Sequence, residues 1–225
     1  MAKFSKICVF SLFFMLLAGA ASLTRAQDSW FSAKLPINGK TYPVTARIYT
    51  QKTEDTIKFS SELQYRALDT SFSMHTTGAY DLKGDSPLWQ NTTRSGLYSV
   101  EWSYRDYSEK PAAVYWRGES DGTITFENDA IPEEFLYFLT EKIDVSNKYK
   151  EFKVLSPVWE VPHKPDAWVA DAKYTGQVLR IYGVDCYQVV YTRSDGARAE
   201  YYITLKGKQV WRFQTFRGVW FDRVQ

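Results

Sequence analysis

The chain has 225 residues, with 28 Lys and Arg against 26 Asp and Glu, and a formal charge of +2. That balance leaves no electrostatic footprint for nucleic acid or for an anionic membrane surface. Aromatic residues make up 17% of the composition, which is rich in the residue types that favour strands.

The N-terminus sets the compartment. Lys3 and Lys6 form a short positive region, Ile7 to Ala18 is apolar, and small residues follow at Gly19, Ala20, Ala21 and Ser22. The apolar run is shorter than the roughly 20 residues that span a bilayer, and no stop-transfer pattern follows it. This is the pattern of a secretory signal peptide. It is expected to occupy residues 1–26 and end at Thr24-Arg25-Ala26, with a cut after Ala20 as the alternative. Ala20, not Cys, follows Leu16-Leu17-Ala18-Gly19, which favours soluble export over a lipid anchor. Loss of Lys3, Lys6 and Arg25, with no acid among them, takes the formal charge from +2 to −1. Residues 27–225 then form a single periplasmic or secreted domain with a sizeable core and no transmembrane segment. Cys8 leaves with the leader. Cys186 remains alone in the apolar run Val184 to Val190 and is expected to be a buried thiol, so packing rather than disulfides must stabilise the domain.

Period-two alternation dominates the rest of the chain. It marks strands at Val44–Thr50, at Thr56–Tyr65, where Ile57, Phe59, Leu63 and Tyr65 share a face, and at Ser71–Tyr80. A polar turn at Gly84-Asp85-Ser86-Pro87 precedes a strand beginning at Leu88. In Tyr98–Arg105, the residues Tyr98, Val100, Trp102 and Tyr104 are expected to face in and Arg105 out. Ala113–Gly118 and Thr123–Glu127 follow. A helix is expected from Ile131 to Ile143. Asn128 or Asp129 would cap it, Pro132 would sit in its first turn, and Glu133 and Glu134 would complement its dipole. Its apolar positions Phe135, Phe138, Leu139 and Ile143 would pack on the open face of the curved sheet. Pro157, Pro162 and Pro165 rule out a central strand between Leu155 and Ala167, leaving an extended crossing segment with Trp159 and His163. Strands resume at Trp168–Tyr174, Val178–Tyr182, Cys186–Arg193, Arg198–Leu205 and Val210–Arg217. Asn38-Gly39, Asp121-Gly122, Asp195-Gly196 and Lys206-Gly207 supply positive-φ hairpin positions. The expected architecture is mainly β, a curved antiparallel meander with one short helix.

No catalytic set emerges. Gly-x-Ser-x-Gly is missing, and Gly84-Asp85-Ser86 is followed by Pro87 with no Asp-x-x-His downstream. Two distant histidines and Cys186 make neither a structural nor a catalytic zinc site, and there is no glycine-rich phosphate loop. The acidic stretch from Asp106 through Glu109, Glu119, Asp121 and Glu127 to Asp129 reads as strand ends and turns. No catalytic residue, metal or cofactor is therefore expected. Asn91-Thr92-Thr93 matches a glycosylation sequon by chance. Tyr49, Tyr187, Tyr191, Tyr202 and Phe216 are expected opposite the apolar face of their strands, where a curled sheet could offer them to a ligand or a partner.

From Pro132 to Phe213 an order of features stands out. Pro132-Glu133-Glu134-Phe135-Leu136 precedes Val154-Leu155-Ser156-Pro157, then Ala172-Lys173-Tyr174-Thr175-Gly176, Tyr182-Gly183-Val184-Asp185-Cys186-Tyr187 and a hairpin through Asp195-Gly196. This order resembles an uncharacterised family of exported bacterial β proteins carrying a domain of unknown function. The resemblance implies an incomplete β-barrel wrapping a helix, similar to the half-barrel carriers of lipoproteins in the periplasm, and it brings no catalytic residues. The leading functional expectation is a carrier of an apolar or amphipathic ligand, such as a lipid. Phe135, Phe138 and Leu139 would plug or gate its cavity, and Trp102 and Tyr104 would line the wall. A non-enzymatic envelope protein that engages another protein or a glycan is the second expectation. An envelope hydrolase using carboxylates or His163 is the third.

Overall fold

A computed structural model describes residues 25–37, 39–67, 70–96, 100–108, 112–117, 121–126, 130–140, 149–155 and 167–224. Of the expected leader, residues 1–24 lie outside them while Arg25 and Ala26 belong to the first strand; Asn128, Asp129, Trp159 and His163 also lie outside them. The first half of the described chain is a meander of eight strands: β1 (Arg25–Ile37), β2 (Lys40–Lys52), β3 (Thr56–Ala67), β4 (Thr70–Asp81), β5 (Ser86–Ser95), β6 (Val100–Asp106), β7 (Ala112–Arg117) and β8 (Gly122–Phe126). The second half begins with the three-residue β9 (Ala130–Pro132) and a helical turn. It continues as β10 (Tyr149–Leu155), β11 (Ala167–Ile181), β12 (Val184–Arg193), β13 (Arg198–Thr204), β14 (Val210–Gln214) and β15 (Trp220–Arg223).

All fifteen strands belong to one sheet, in the order β8-β7-β6-β5-β4-β3-β2-β1-β15-β14-β13-β12-β11-β10-β9. Every pairing is antiparallel except β9 with β10. The described chain thus begins mid-sheet, runs out to one edge and crosses to the other edge. It then returns until β15 meets β1. If the sheet were flat, its edges would lie roughly 65–70 Å apart, given about 4.8 Å between neighbouring strands. Yet the end of β8 at Phe126 and the start of β9 at Ala130 are joined by three residues, which reach at most about 14 Å. The sheet must therefore curl until its edges approach each other. The result is open and barrel-like.

The curl brings distant strands into one core. Phe31, Ile57, Phe59 and Tyr80 from the first half are buried with Val189, Tyr191, Tyr201, Ile203, Val210, Phe213 and Phe221 from the second. Phe31 meets Phe213 edge-on at 5.2 Å, and Phe213 stacks on Tyr201 and Phe221 at 5.4 and 4.8 Å. Within β3 the expected facing holds: Ile57 and Phe59 are in the core, with Leu63 and Tyr65 packed against it.

Several expectations need correction. The expected single strand Val210–Arg217 is β14 plus a turn, and Phe216 lies in that turn, buried in the core. The strands expected at Trp168–Tyr174 and Val178–Tyr182 are one strand with a register shift between Tyr174 and Val178. Tyr182 belongs to a two-residue hairpin, where it and Gly183 both have positive φ, at 47° and 82°. Gly122 sits inside β8, and its role is steric rather than conformational. A Cβ there would lie 2.3 Å from Trp116 Cζ2. Gly78 follows the same logic, with Phe59 Cε1 2.3 Å and the Trp89 carbonyl oxygen 2.9 Å from where its Cβ would stand.

Burial of phenols carries a pH signature. Desolvation raises the pKa of Tyr80, Tyr107, Tyr191 and Tyr201 well above the usual tyrosine value. The Cys186 thiol is buried and likewise pushed up to about 11 by desolvation. The folded state holds these protons more tightly than the unfolded chain. Stability from the four phenols is therefore complete below about pH 10 and declines above it.

Two outcomes follow. Gly78→Ala should lower stability in urea unfolding by about 1–3 kcal/mol, because the Phe59 ring must leave its seat and the backbone oxygen cannot yield. An unchanged midpoint would remove that ring from the account. Titration of tyrosinate absorbance should show a late group of phenols that ionise only together with loss of near-ultraviolet circular dichroism. Smooth titration of all tyrosines in a still-folded protein would contradict their burial.

Candidate ligand-binding interior

Register places the inward residues of β1–β7 in rows running across the strands. One row comprises Thr50, Phe59, Gly78, Gln90, Arg105 and Val114. Phe59 and Val114 are buried apolar groups, whereas Gln90 is 1% exposed and Arg105 0%. The next row holds Thr76 and Thr92, both buried, whose hydroxyls share a 3.1 Å hydrogen bond. The interior is thus apolar on one side and polar along β4–β6. A buried guanidinium carries a large desolvation cost and persists only where polar groups surround it. Arg105 hydrogen bonds to Tyr107, whose hydroxyl also donates to Gln90 Oε1 at 3.5 Å. Glu134 lies close enough to act on Tyr107 through its charge. Gln90 Nε2, by contrast, is a buried donor with no acceptor among the described residues.

Of the expected helix, Ile131 and Pro132 belong to β9, helical geometry spans Glu133–Phe135 and Leu136–Thr140, and residues 141–143 lie outside the described chain. Pro132, with φ −57° and ψ 140°, caps the turn without a side-chain hydrogen bond. Phe135, Leu136 and Tyr137 are all buried, as a helix with apolar groups all round must be. Phe135 packs at 4.9 Å from Phe59 and 5.9 Å from Tyr80, while Tyr137 lies 5.8 Å from Phe31 and 5.9 Å from Phe213. Leu139 is partly buried against the same core. Thr140 hydrogen bonds through its hydroxyl to Tyr191 and to the Leu136 carbonyl. Glu133 does more than complement a dipole. It is buried, and its Oε1 accepts the Phe216 N–H at 3.2 Å, tying the turn to the β14–β15 connection.

Among the expected site residues, Phe135 and Leu139 come together at this turn. Phe138 lies between them in sequence, but its side chain is outside the described structure, as is that of Trp102. Tyr104 is corrected. It pairs with Asn91 and Tyr115 on the outer face, its ring 6.3 Å from that of Tyr115, while its neighbour Arg105 points inward. Tyr191, expected opposite the apolar face, is in the core, and Tyr187 shares the inward side of β12. Tyr49 and Tyr202 are on the outer side, as expected.

Towards the β3–β4 hairpin the inner wall opens. Tyr65 and Phe72 face each other across the strands with rings stacked at 4.8 Å, and Leu63 pairs with Met74. All four are only partly buried although they lie on the inward face. Arg94 follows Met74 in the same row and acts on Tyr65 through its charge. Sequence reasoning marked Leu63 and Tyr65 as core but found no signal for an opening, because alternation reports the face of a residue and not how far the opposite wall stands. No group of three or more metal-ligating side chains occurs among the described residues.

Comparison with known proteins bears on the fold. No family model matches the chain, and no curated protein matches it. A β-barrel-like protein of the domain of unknown function DUF1849 from Brucella abortus superposes with a TM-score of 0.61 over 92% of this chain and 98% of its own, at 10% identity. A DUF1329 family protein from Desulfovibrio piger aligns over 97% of this chain and 90% of its own at 12% identity, but its TM-score of 0.27 carries no argument. At 10% identity the likeness is one of architecture: the chain is similar in fold to a bacterial β-barrel-like protein of unknown function.

Proposed function

We propose that the mature chain is an exported binding protein, periplasmic or secreted, that holds an amphipathic ligand at the open end of its barrel-like sheet. In this reading the sheet wraps the helical turn, which plugs the middle of the lumen and confines the ligand to one end. The observation that carries it is the set of inward-facing but incompletely buried apolar side chains at Leu63, Tyr65, Phe72 and Met74. Apolar groups on an inner wall that the core leaves uncovered are what a ligand tail needs. The polar lane beyond them, ending in the unsatisfied donor of Gln90, suits a head group. The packed centre restricts the expected cavity, since Phe135, Leu136 and Tyr137 already fill it.

The outer wall supports a water-facing carrier rather than a lipid-embedded barrel. Ser32, Thr45, Gln64, Ser73 and Ser95 form one outward row across β1–β5. A membrane barrel inverts this arrangement, with an apolar band outside and polar groups within. No helix among the described residues is long and apolar enough to cross a membrane.

Titration of the delipidated mature protein with dansyl-undecanoic acid should show saturable fluorescence enhancement. Met74→Asp should weaken it by about tenfold or more, equivalent to at least about 1.4 kcal/mol, without a comparable drop in thermal midpoint. Non-saturable fluorescence, or equal affinity in the variant, would remove the mouth as the binding site.

A further inference from the structure

The inner wall singles out a class of head group for the ligand at the barrel mouth, and this rests on the carrier reading above. Going inward from the β3–β4 hairpin, Tyr65 and Phe72 share one row, and Leu63, Met74 and Arg94 the next. Thr76 and Thr92 form the third row, and Gln90 and Arg105 lie in the fourth beside Gly78 and Phe59. On β3 the first and last of these rows are marked by Tyr65 and Phe59, about 20 Å apart at the usual rise of a strand. The wall thus grows more polar with depth, and its most polar row is its innermost.

Two arginines lie on this wall in different settings. Arg94 is half-buried, and its register partner on β6 is Glu101. Arg105 is fully buried, and its register partners Gln90 and Val114 carry no charge. The Tyr107 hydroxyl occupies Gln90 Oε1, which leaves Gln90 Nε2 as a donor with no acceptor among the described residues, on a side chain 1% exposed. An unmet donor in a dry interior is costly, and an incoming oxygen removes that cost. Tyr107 feels both the Arg105 charge and that of Glu134 on the helical turn. Glu134 thus brings negative charge to the inner end of the lane, yet the Gln90 donor stays unmet. What this row lacks is an acceptor, and an acceptor placed there sits on the strand next to a guanidinium.

We propose that the ligand is a long-chain carboxylic acid bound head-first, its carboxylate accepting from Gln90 Nε2 beside Arg105 and its chain running out past Thr76 and Thr92 to the apolar mouth. An ionised acceptor makes the stronger hydrogen bond and gains from the buried cation. An alcohol can accept from Gln90 but draws nothing from the guanidinium, and an ammonium head is repelled by it. One guanidinium, with Glu134 near, suits a single negative charge better than the double charge of a phosphate monoester. The distance of about 20 Å between the end rows calls for a long chain rather than a short one.

Displacement of the neutral dye Nile red from the delipidated mature protein by tetradecanoate, tetradecanol and tetradecylamine reads the head group directly. Tetradecanoate should bind about tenfold or more tighter than tetradecanol, with the amine weakest. Gln90→Leu should cut the preference for the acid by about threefold or more and leave tetradecanol affinity unchanged. Gln90→Glu supplies the carboxylate from the chain itself, so it should abolish the preference for tetradecanoate without lowering the thermal midpoint. Equal binding of acid and alcohol would overturn the inference and leave the carrier reading standing, with a water as the partner of Gln90. A folded Gln90→Glu variant that holds tetradecanoate as tightly as the unmodified protein would overturn it too, since the carboxylate would then sit elsewhere. Failure of the dye and of all three amphiphiles to bind would remove the carrier reading along with it.

Discussion

The structure depends on a tether. Three residues join the last strand of the first meander to the first strand of the second, and those strands are the two edges of a fifteen-stranded sheet. An edge-to-edge path that short cannot exist on a flat or gently twisted surface. Curling is therefore imposed by connectivity, and the interior it encloses has to be filled. The chain places its filling immediately after the tether. Pro132 ends β9 and the next residues turn inward as Phe135, Leu136 and Tyr137. Phe135 then touches Phe59 of β3, nine strands away along the sheet, a contact that only a curled sheet permits.

Filling is uneven, and that unevenness shapes the proposed function. On the side of β12–β15 and β1–β3 aromatic rings interlock. Along β4–β6 the inner wall carries Thr76, Gln90, Thr92 and Arg105, groups that cost free energy to bury and that a purely structural core would avoid. Towards the β3–β4 hairpin the wall is apolar again but incompletely covered. An apolar opening that leads onto a polar lane has the polarity profile of an amphipathic molecule, with the helical turn as the stop at its inner end.

Much of the fold was legible because alternation is a local signal. The facing of Ile57 and Phe59 followed from period two alone, and the Asn38-Gly39, Asp195-Gly196 and Lys206-Gly207 turns announced themselves through glycine, each with positive φ. The equation of apolar with inward failed in β6, where Arg105 is buried and Tyr104 is on the outer face. A polar lumen reverses the pattern, and nothing within the strand reveals which side is the lumen. Helical geometry does occur around Phe135, but it begins at Glu133 rather than Ile131, because Ala130–Pro132 pair with β10, and the consecutive buried residues Phe135, Leu136 and Tyr137 leave no periodic stripe there. Glu133 seemed a dipole partner because its acceptor role depends on Phe216, 83 residues away. Gly78 gave no turn signal and Gly122 gave a misleading one, for their function is to seat the Phe59 and Trp116 rings, a demand set by the neighbouring strand.

The claim on which the rest stands is that the helical turn packs across the curled sheet against β3. A double-mutant cycle on Phe59→Ala and Phe135→Ala, read by equilibrium urea unfolding, tests it most directly. Direct ring contact at 4.9 Å predicts that the two losses are non-additive, with a coupling of about 0.5–1.5 kcal/mol. Strict additivity of the two losses would mean that the rings do not meet, and the plugged, curled sheet would have to be abandoned.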